Sequence, residues 1–217
     1  MSIQTDKIYT TLCVFFSALI VMNNLVYQKF VSLSVFSLYT FELSVGAILY
    51  PLTFLLTDLI TEFYGKDRAS FCVKLGVVIN IIVAFGIKLM DRLNATNWSK
   101  IDNFTFHKMF GLYGIAFVAS IAACYIAQIV DIKIYIWIRK ITHGRWLWLR
   151  NTGSTAVSLF LDTCIVISIM TVFGVLPREH MFQLIIHSYL FKFFFTICST
   201  PLFYIWFLII RTLINAK

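Results

Sequence analysis

Charge is the scarcest commodity in this chain. Only 13% of its 217 residues are charged and 60% are apolar, whereas a water-soluble domain carries roughly 25% and 45–50%. With a mean hydropathy of +0.86, the shortage excludes an ordinary soluble domain and points to the lipid bilayer as surroundings. Acids are rarer than bases, 10 against 18, which leaves a formal charge of +8. In a membrane chain that excess follows from Lys and Arg collected in cytoplasmic loops, so no nucleic-acid partner is expected. Cysteines number five, sit in apolar segments and show no CxxC or Cys/His spacing; they read as small core hydrophobes rather than a disulfide framework or metal site. No serine elbow, HExxH helix or P-loop occurs. His187 has only adjacent Ser188, and His107, His143 and His180 fall in loops or at span ends. No catalytic residue, metal or cofactor is expected. A cleaved leader is also unexpected, because the charge-free run from Ile8 to Gln28 outlasts an ordinary leader core and no small-residue cleavage site follows it.

What is present is enough apolar chain for six spans of about 20 residues each. With charges as punctuation they fall at 8–28, 43–63, 71–91, 109–131, 152–176 and 182–211, in one transmembrane domain covering 1–217. The third requires Lys74 and Lys88 to snorkel. Val31-Ser32-Leu33-Ser34-Val35 alternates apolar and polar residues, which suits a short extended segment between the first two spans. If both termini are cytoplasmic, eleven Lys and Arg lie inside (Lys7, Lys66, Arg68, Lys74, Lys133, Arg139, Lys140, Arg145, Arg150, Arg211, Lys217) and six outside (Lys29, Lys88, Arg92, Lys100, Lys108, Arg178). The contrast favours that orientation, and Trp137, Trp146 and Trp148 mark the basic 133–150 segment as a headgroup boundary. Asn94, Asn97 and Asn103 begin Asn-x-Ser/Thr triplets, which are glycosylation acceptors only in a eukaryotic secretory setting.

Charges inside the spans carry the functional information. At mid-bilayer each costs roughly 2.5–3.5 kcal/mol on insertion scales, so Asp58, Glu62, Asp131, Asp162 and Lys192 demand partners or a wet cavity. They belong to polar stripes. Asp58 and Glu62 are four apart beside Thr57 and Thr61, and Asn151, Thr155, Ser158 and Asp162 follow an i, i+4, i+7, i+11 rhythm. Ser188, Lys192, Thr196 and Ser199 repeat it, Gln128 and Asp131 are three apart, and Asn23 and Asn24 close the first span. Such stripes converge on one bundle axis. Plainer readings stand beside this one: Ser and Thr as interhelical glue, a Glu62–Lys66 interfacial pair, Asp131 capping a boundary with Lys133, and a purely structural Asp162–Lys192 bridge. Facing carboxylates, Asp58 with Asp162, also suit intramembrane aspartyl chemistry. Pro51 and Pro201 suggest broken helices, which recur at transporter binding sites.

The run from Tyr50 to Gly65, YPLTFLLTDLITEFYG, resembles the signature of the queuosine precursor transporters of the vitamin-uptake group. Ala127-Gln128-Ile129-Val130-Asp131, Asn151-Thr152-Gly153-Ser154-Thr155 with Asp162, Phe191-Lys192 before Pro201, and Asn24 match further features in order. The resemblance implies an all-α integral membrane protein of six helices, similar to the substrate-binding subunit of energy-coupling-factor transporters. It implies a multi-pass protein of the bacterial inner membrane that imports 7-cyano- or 7-aminomethyl-7-deazaguanine for tRNA queuosine salvage. The alternatives are a binding subunit of an ATP-driven importer or an integral-membrane enzyme. Candidate cargo contacts are Asn24, Asp58, Gln128, Asp131, Asn151, Asp162 and Lys192, with Glu62 for coupling or gating. A carboxylate accepts the N–H and NH2 of a guanine-like edge as a fork, an amide donates to the ring carbonyl, and aromatics sandwich the ring. Beyond cargo and lipid, the partner considered is a second copy of the chain.

Overall fold

The computed structural model describes residues 3–35, 39–111 and 114–215; Lys217 of the orientation count lies outside them. Helix α1 (Ile3–Val26) leads into an antiparallel hairpin of β1 (Phe30–Val35) and β2 (Tyr39–Ser44). A 3-10 turn at Val45–Ala47 then opens α2 (Pro51–Met90), the short α3 (Asn103–Phe106), α4 (Ile115–Ile141), α5 (Leu147–Val172) and α6 (Met181–Asn215). The alternating segment is therefore a strand, with Phe30 opposite Ser44 and Leu33 opposite Phe41. Everything else of length is helix, and the protein is a multi-pass membrane protein. Among the described residues five helical segments are long and apolar enough to cross a bilayer: Thr5–Val26, Val45–Met90, Phe117–Ile141, Leu147–Val172 and Arg178–Ile214.

The second of these spans 46 residues, about twice what the hydrocarbon core requires, and it holds both the second and the third span expected from charge. Gly65 divides it. Its backbone (φ 81°, ψ 176°) occupies a region essentially reserved for glycine, and the chain reverses there. The Tyr64 hydroxyl donates to the Thr5 carbonyl (2.9 Å) at the start of α1, while Gly46 lies against Asn23 and Tyr27 near its end. Residues 51–64 thus run antiparallel to α1. Beyond Gly65 the direction is opposite, since Tyr9 donates to the Arg68 carbonyl (3.0 Å) and Gly76 lies against Phe16 and Ile20. Gly65→Ala is expected to lower stability by about 1–3 kcal/mol through backbone strain alone, because nothing lies within 4 Å of the added Cβ. Thermal unfolding in detergent measures it; an unchanged melt would show that the turn tolerates a side chain.

Pro51 does not break a span. It occupies the first turn of α2, where its missing N–H has no helical partner anyway. Pro201 does lie inside α6. Nor does Asp131 cap a boundary: α4 continues ten residues past it to Ile141, Asp131 is wholly buried and Lys133 is exposed.

The helices pack around a core of α1, both arms of α2, α4 and α6, in which Phe16, Leu59, Ile60, Cys72, Val73 and Phe203 are fully enclosed. Phe71, Val78, Ile82 and Phe85 on the outer face of the second arm are exposed, as a lipid-facing surface is. All five cysteines are free, three of them buried, while Cys198 is exposed rather than in the core. Two ends can be distinguished. The start of α1, the Gly65 turn and late α6 share one, since Phe63 stacks near Phe207 at 5.2 Å. The hairpin shares the other with early α6, where Gln183 reaches Glu42 (3.4 Å). The 91–108 loop also sits there: Asp91 meets His107 (2.6 Å), and Asn103 accepts the Ala95 N–H (2.7 Å) while donating to Asn94. These asparagines thus have a local role in tying the loop.

Candidate functional site

Every member of the α5 stripe is buried: Asn151, Thr155, Ser158 and Asp162 are at most 4% exposed. So are Asp58, Gln128 and Asp131 at 0%, and Lys192 at 5%. A 3.6-residue period puts such side chains on one face, and that face points inward. The structure sorts them into three groups stacked from the hairpin end to the terminal end.

The first group floors a cavity of about 100 Å³, tighter than the 300–1,000 Å³ usual for small-molecule sites. Lys192 donates from Nζ to Asp162 Oδ2 (2.8 Å) and to Thr163 Oγ1 (3.1 Å). Tyr50, which precedes α2, donates its hydroxyl to Asp162 Oδ1 (2.8 Å) and sets its ring 4.8 Å from the Lys192 ammonium. The expected Asp162–Lys192 bridge is thus present, and both side chains face the cavity. Asn23, Asn24, Ser120, Cys124 and Ser188 complete the polar lining. Ser120 donates to Asn24 Oδ1 (2.7 Å), whereas the Asn23 amide nitrogen is buried without a hydrogen bond. Phe30, Ser44, Leu176 and Leu184 line it toward the hairpin end.

Below the floor lies a second group that does not line the cavity. Thr57 donates to Gln128 Oε1 (2.7 Å), and Gln128 Nε2 donates to Thr53 Oγ1 (3.2 Å), which crosslinks α2 to α4. Next to this bridge Asp58 faces Asp131, not Asp162 as the aspartyl reading required. Asp131 in turn faces the α5 hydroxyls of Ser154, Thr155 and Ser158. Asn151 lies one helical turn before Thr155 on the same stripe.

The third group is at the terminal end. Glu62 is held by Arg150 (2.7 Å) and approached by Arg139 (3.8 Å), not by Lys66. Tyr135 donates to Glu62 (2.9 Å) and accepts from Arg150 Nε (3.3 Å), while Arg150 Nη1 reaches the Gly144 carbonyl (2.9 Å).

Of the expected contacts, Asn24, Asp162 and Lys192 therefore meet at the cavity. Gln128, Asp58, Asp131 and Asn151 lie beneath it, and Glu62 is farthest away. Sequence reasoning passed over Tyr50, Thr163, Ser120 and Arg150. Arg150 was legible, being four and eight residues before Ser154 and Ser158 on one stripe; Tyr50 was not, since nothing local ties it to a residue 112 positions away.

The chain matches, over residues 44–206, the family model described as "Putative vitamin uptake transporter". It is 32% identical over 165 residues to a Bacillus subtilis protein named "Probable queuosine precursor transporter", covering 74% of this chain and 70% of that one. A Haemophilus influenzae protein of the same name is 27% identical over 158 residues, covering 72% of this chain and 64% of its own length. No solved structure matches. The matched segment takes in β2's last residue, the Gly65 turn and the three polar groups except Asn23 and Asn24, and the chain belongs to this vitamin uptake transporter family.

Proposed function

We propose that the chain imports a queuosine precursor, 7-cyano- or 7-aminomethyl-7-deazaguanine, across the bacterial inner membrane as a single six-span domain with both termini cytoplasmic. The fold expected for it is that of the substrate-binding subunits of energy-coupling-factor transporters. The observation that carries the reading is the buried Asp162–Lys192 pair flooring a cavity that extends toward the hairpin end. Reversal at Gly65 supports six crossings rather than five. Lys66, Arg68, Arg139, Lys140 and Arg145 gather at the terminal end, which favours a cytoplasmic assignment for it and turns the cavity toward the outer face.

In this reading the flat ring lies beside Tyr50. Asp162 accepts from its N–H and NH2 edge, and the unpartnered Asn23 amide donates to its carbonyl. Asn24 and Ser120 border the ring, and Lys192 neutralises Asp162 when the cargo is uncharged. Since the aminomethyl form is a cation near neutral pH, Asp162→Asn is expected to depress its uptake at least about tenfold more than that of the cyano form, a difference of ~1.4 kcal/mol. Equal losses, measured at matched protein level, would remove Asp162 from this role.

The decisive test expresses the chain in cells that neither make nor import the precursor and measures queuosine in tRNA at limiting external precursor. Restored queuosine is expected, and its absence from cells holding well-expressed protein would overturn the reading. Uptake into liposomes lacking any ATPase subunit is expected too, and separates a self-sufficient transporter from a binding subunit.

A further inference from the structure

Three acidic positions are buried between the helices, and two have cations. Asp162 has Lys192 and Glu62 has Arg150. The third, where Asp58 of α2 faces Asp131 of α4, has no salt bridge among the described residues. Both side chains are wholly buried. They face each other and the α5 hydroxyls of Ser154, Thr155 and Ser158 at long range, Thr155 reaching Asp58 Oδ2 at 3.5 Å.

The other oxygens are poorly served: Asp58 Oδ1, both carboxyl oxygens of Asp131, Asn151 Oδ1 and Ser158 Oγ are buried and close no hydrogen bond of normal length, although Ser158 and Asp58 face Asp131. Native proteins seldom leave one such atom unpaired, and a cluster of them calls for a bound water or ion. Its chemistry is readable. The atoms are oxygen throughout, carboxylate, amide carbonyl and hydroxyl, so the fitting ligand is a hard cation rather than a transition metal. Among the described residues no group of three His, Cys, Asp or Glu exists that would hold the latter. Two carboxyls side by side in a dry site also repel unless positive charge joins them. The nearest charged or titratable neighbours toward the terminal end are Glu62 and Tyr135; the former is already committed to Arg150, so no protein cation is spare.

We propose that Asp58 and Asp131, with Asn151 and Ser158, form a binding site for a monovalent cation taken from solution, Na+ or a proton, whose occupancy is coupled to movement of the cargo. Coupling rests on the transporter reading; cation binding does not. The two sites share helices: α2 begins directly after Tyr50 and carries Asp58, and α5 carries Ser158 and, one turn on, Asp162. A cation that draws α2, α4 and α5 together below thereby acts on the cavity floor above.

The test is the melting temperature of the purified chain in nanodiscs, in NaCl against choline chloride at equal ionic strength, over a range of pH. A ligand bound only by the folded state raises that temperature in proportion to its saturation. Stabilisation by NaCl at fixed pH identifies Na+, and stabilisation by acidification in choline alone identifies the proton. In either case Asp131→Asn and Asp58→Asn are expected to flatten the response. Asp131→Asn should also melt above wild type in choline at high pH, because an uncompensated buried charge has gone. Ser158→Ala, which alters no charge, should weaken a Na+ response severalfold. A wild type indifferent to both ions, or Asp variants that respond as wild type does, would overturn the site. Adding 7-cyano-7-deazaguanine to the same melts separates the two readings: stabilisation by cargo with no cation response sinks this one alone, and the reverse sinks only the cargo assignment.

Discussion

Lys192→Met is expected to cost about 3–5 kcal/mol of stability, the range for removing one partner of a buried ion pair, and to abolish uptake. Asp162 is engaged on both oxygens, by Lys192 at 2.8 Å and Tyr50 at 2.8 Å, and without the ammonium its buried charge has no counterion. Neutralising both, as Asp162→Asn with Lys192→Met, removes the stranded charge, and such replacements are often neutral in stability. The double variant should therefore melt near wild type while still failing to transport. Melting in detergent, paired with uptake into liposomes at equal protein, distinguishes the two roles. A stable double variant that transports normally would show the pair to be structural.

The second large effect is expected at Arg150. Its guanidinium makes three bonds in one plane, to Glu62 (2.7 Å), the Gly144 carbonyl (2.9 Å) and the Tyr135 hydroxyl (3.3 Å), while only 4% of the residue is exposed. Arg150→Met should cost up to about 3–5 kcal/mol, reduced where Arg139, 3.8 Å from Glu62, moves in to replace it. Arg150→Lys should recover only part of that loss, because an ammonium cannot reproduce a three-way planar fork. The loop it anchors is itself strained: His143 and Trp146 hold positive φ angles (50° and 53°), which non-glycine residues adopt only where surroundings enforce them. Faster proteolysis between α4 and α5 should accompany the loss of stability. Unchanged cleavage would mean the loop is held by something else.

Helical periodicity made the polar stripes legible in the sequence, because a run such as Asn151, Thr155, Ser158 and Asp162 can only be one face of a helix. The Asp162–Lys192 pair was legible too, since an isolated buried lysine has few partners to choose from. Relations between helices were harder to read. Asp58 was as free to face Asp162 as Asp131, and only packing brought the two carboxyls together. Charge-based boundaries also misled at Asp131, because a buried acid and an interfacial one look alike in a string of letters. At Glu62 the nearby Lys66 obscured an arginine 88 residues away.

The hairpin has a mechanical consequence. On one side it is tied to the segment that follows α1, with the Val45 N–H donating to the Lys29 carbonyl (2.8 Å) and the Ser44 hydroxyl donating to the Tyr27 carbonyl. On the other it rests on α6 through an edge-on contact of Phe41 with Phe191 (5.7 Å) and a long bond from the Glu42 N–H to His187 (3.4 Å). Gln183 adds a bond to Glu42 and Leu43 is enclosed in the same apolar cluster as Phe41 and Phe191, so the hairpin is held on both sides. It is therefore a strap between the end of α1 and the helix that carries Lys192, and any shift between those two helices has to pass through it.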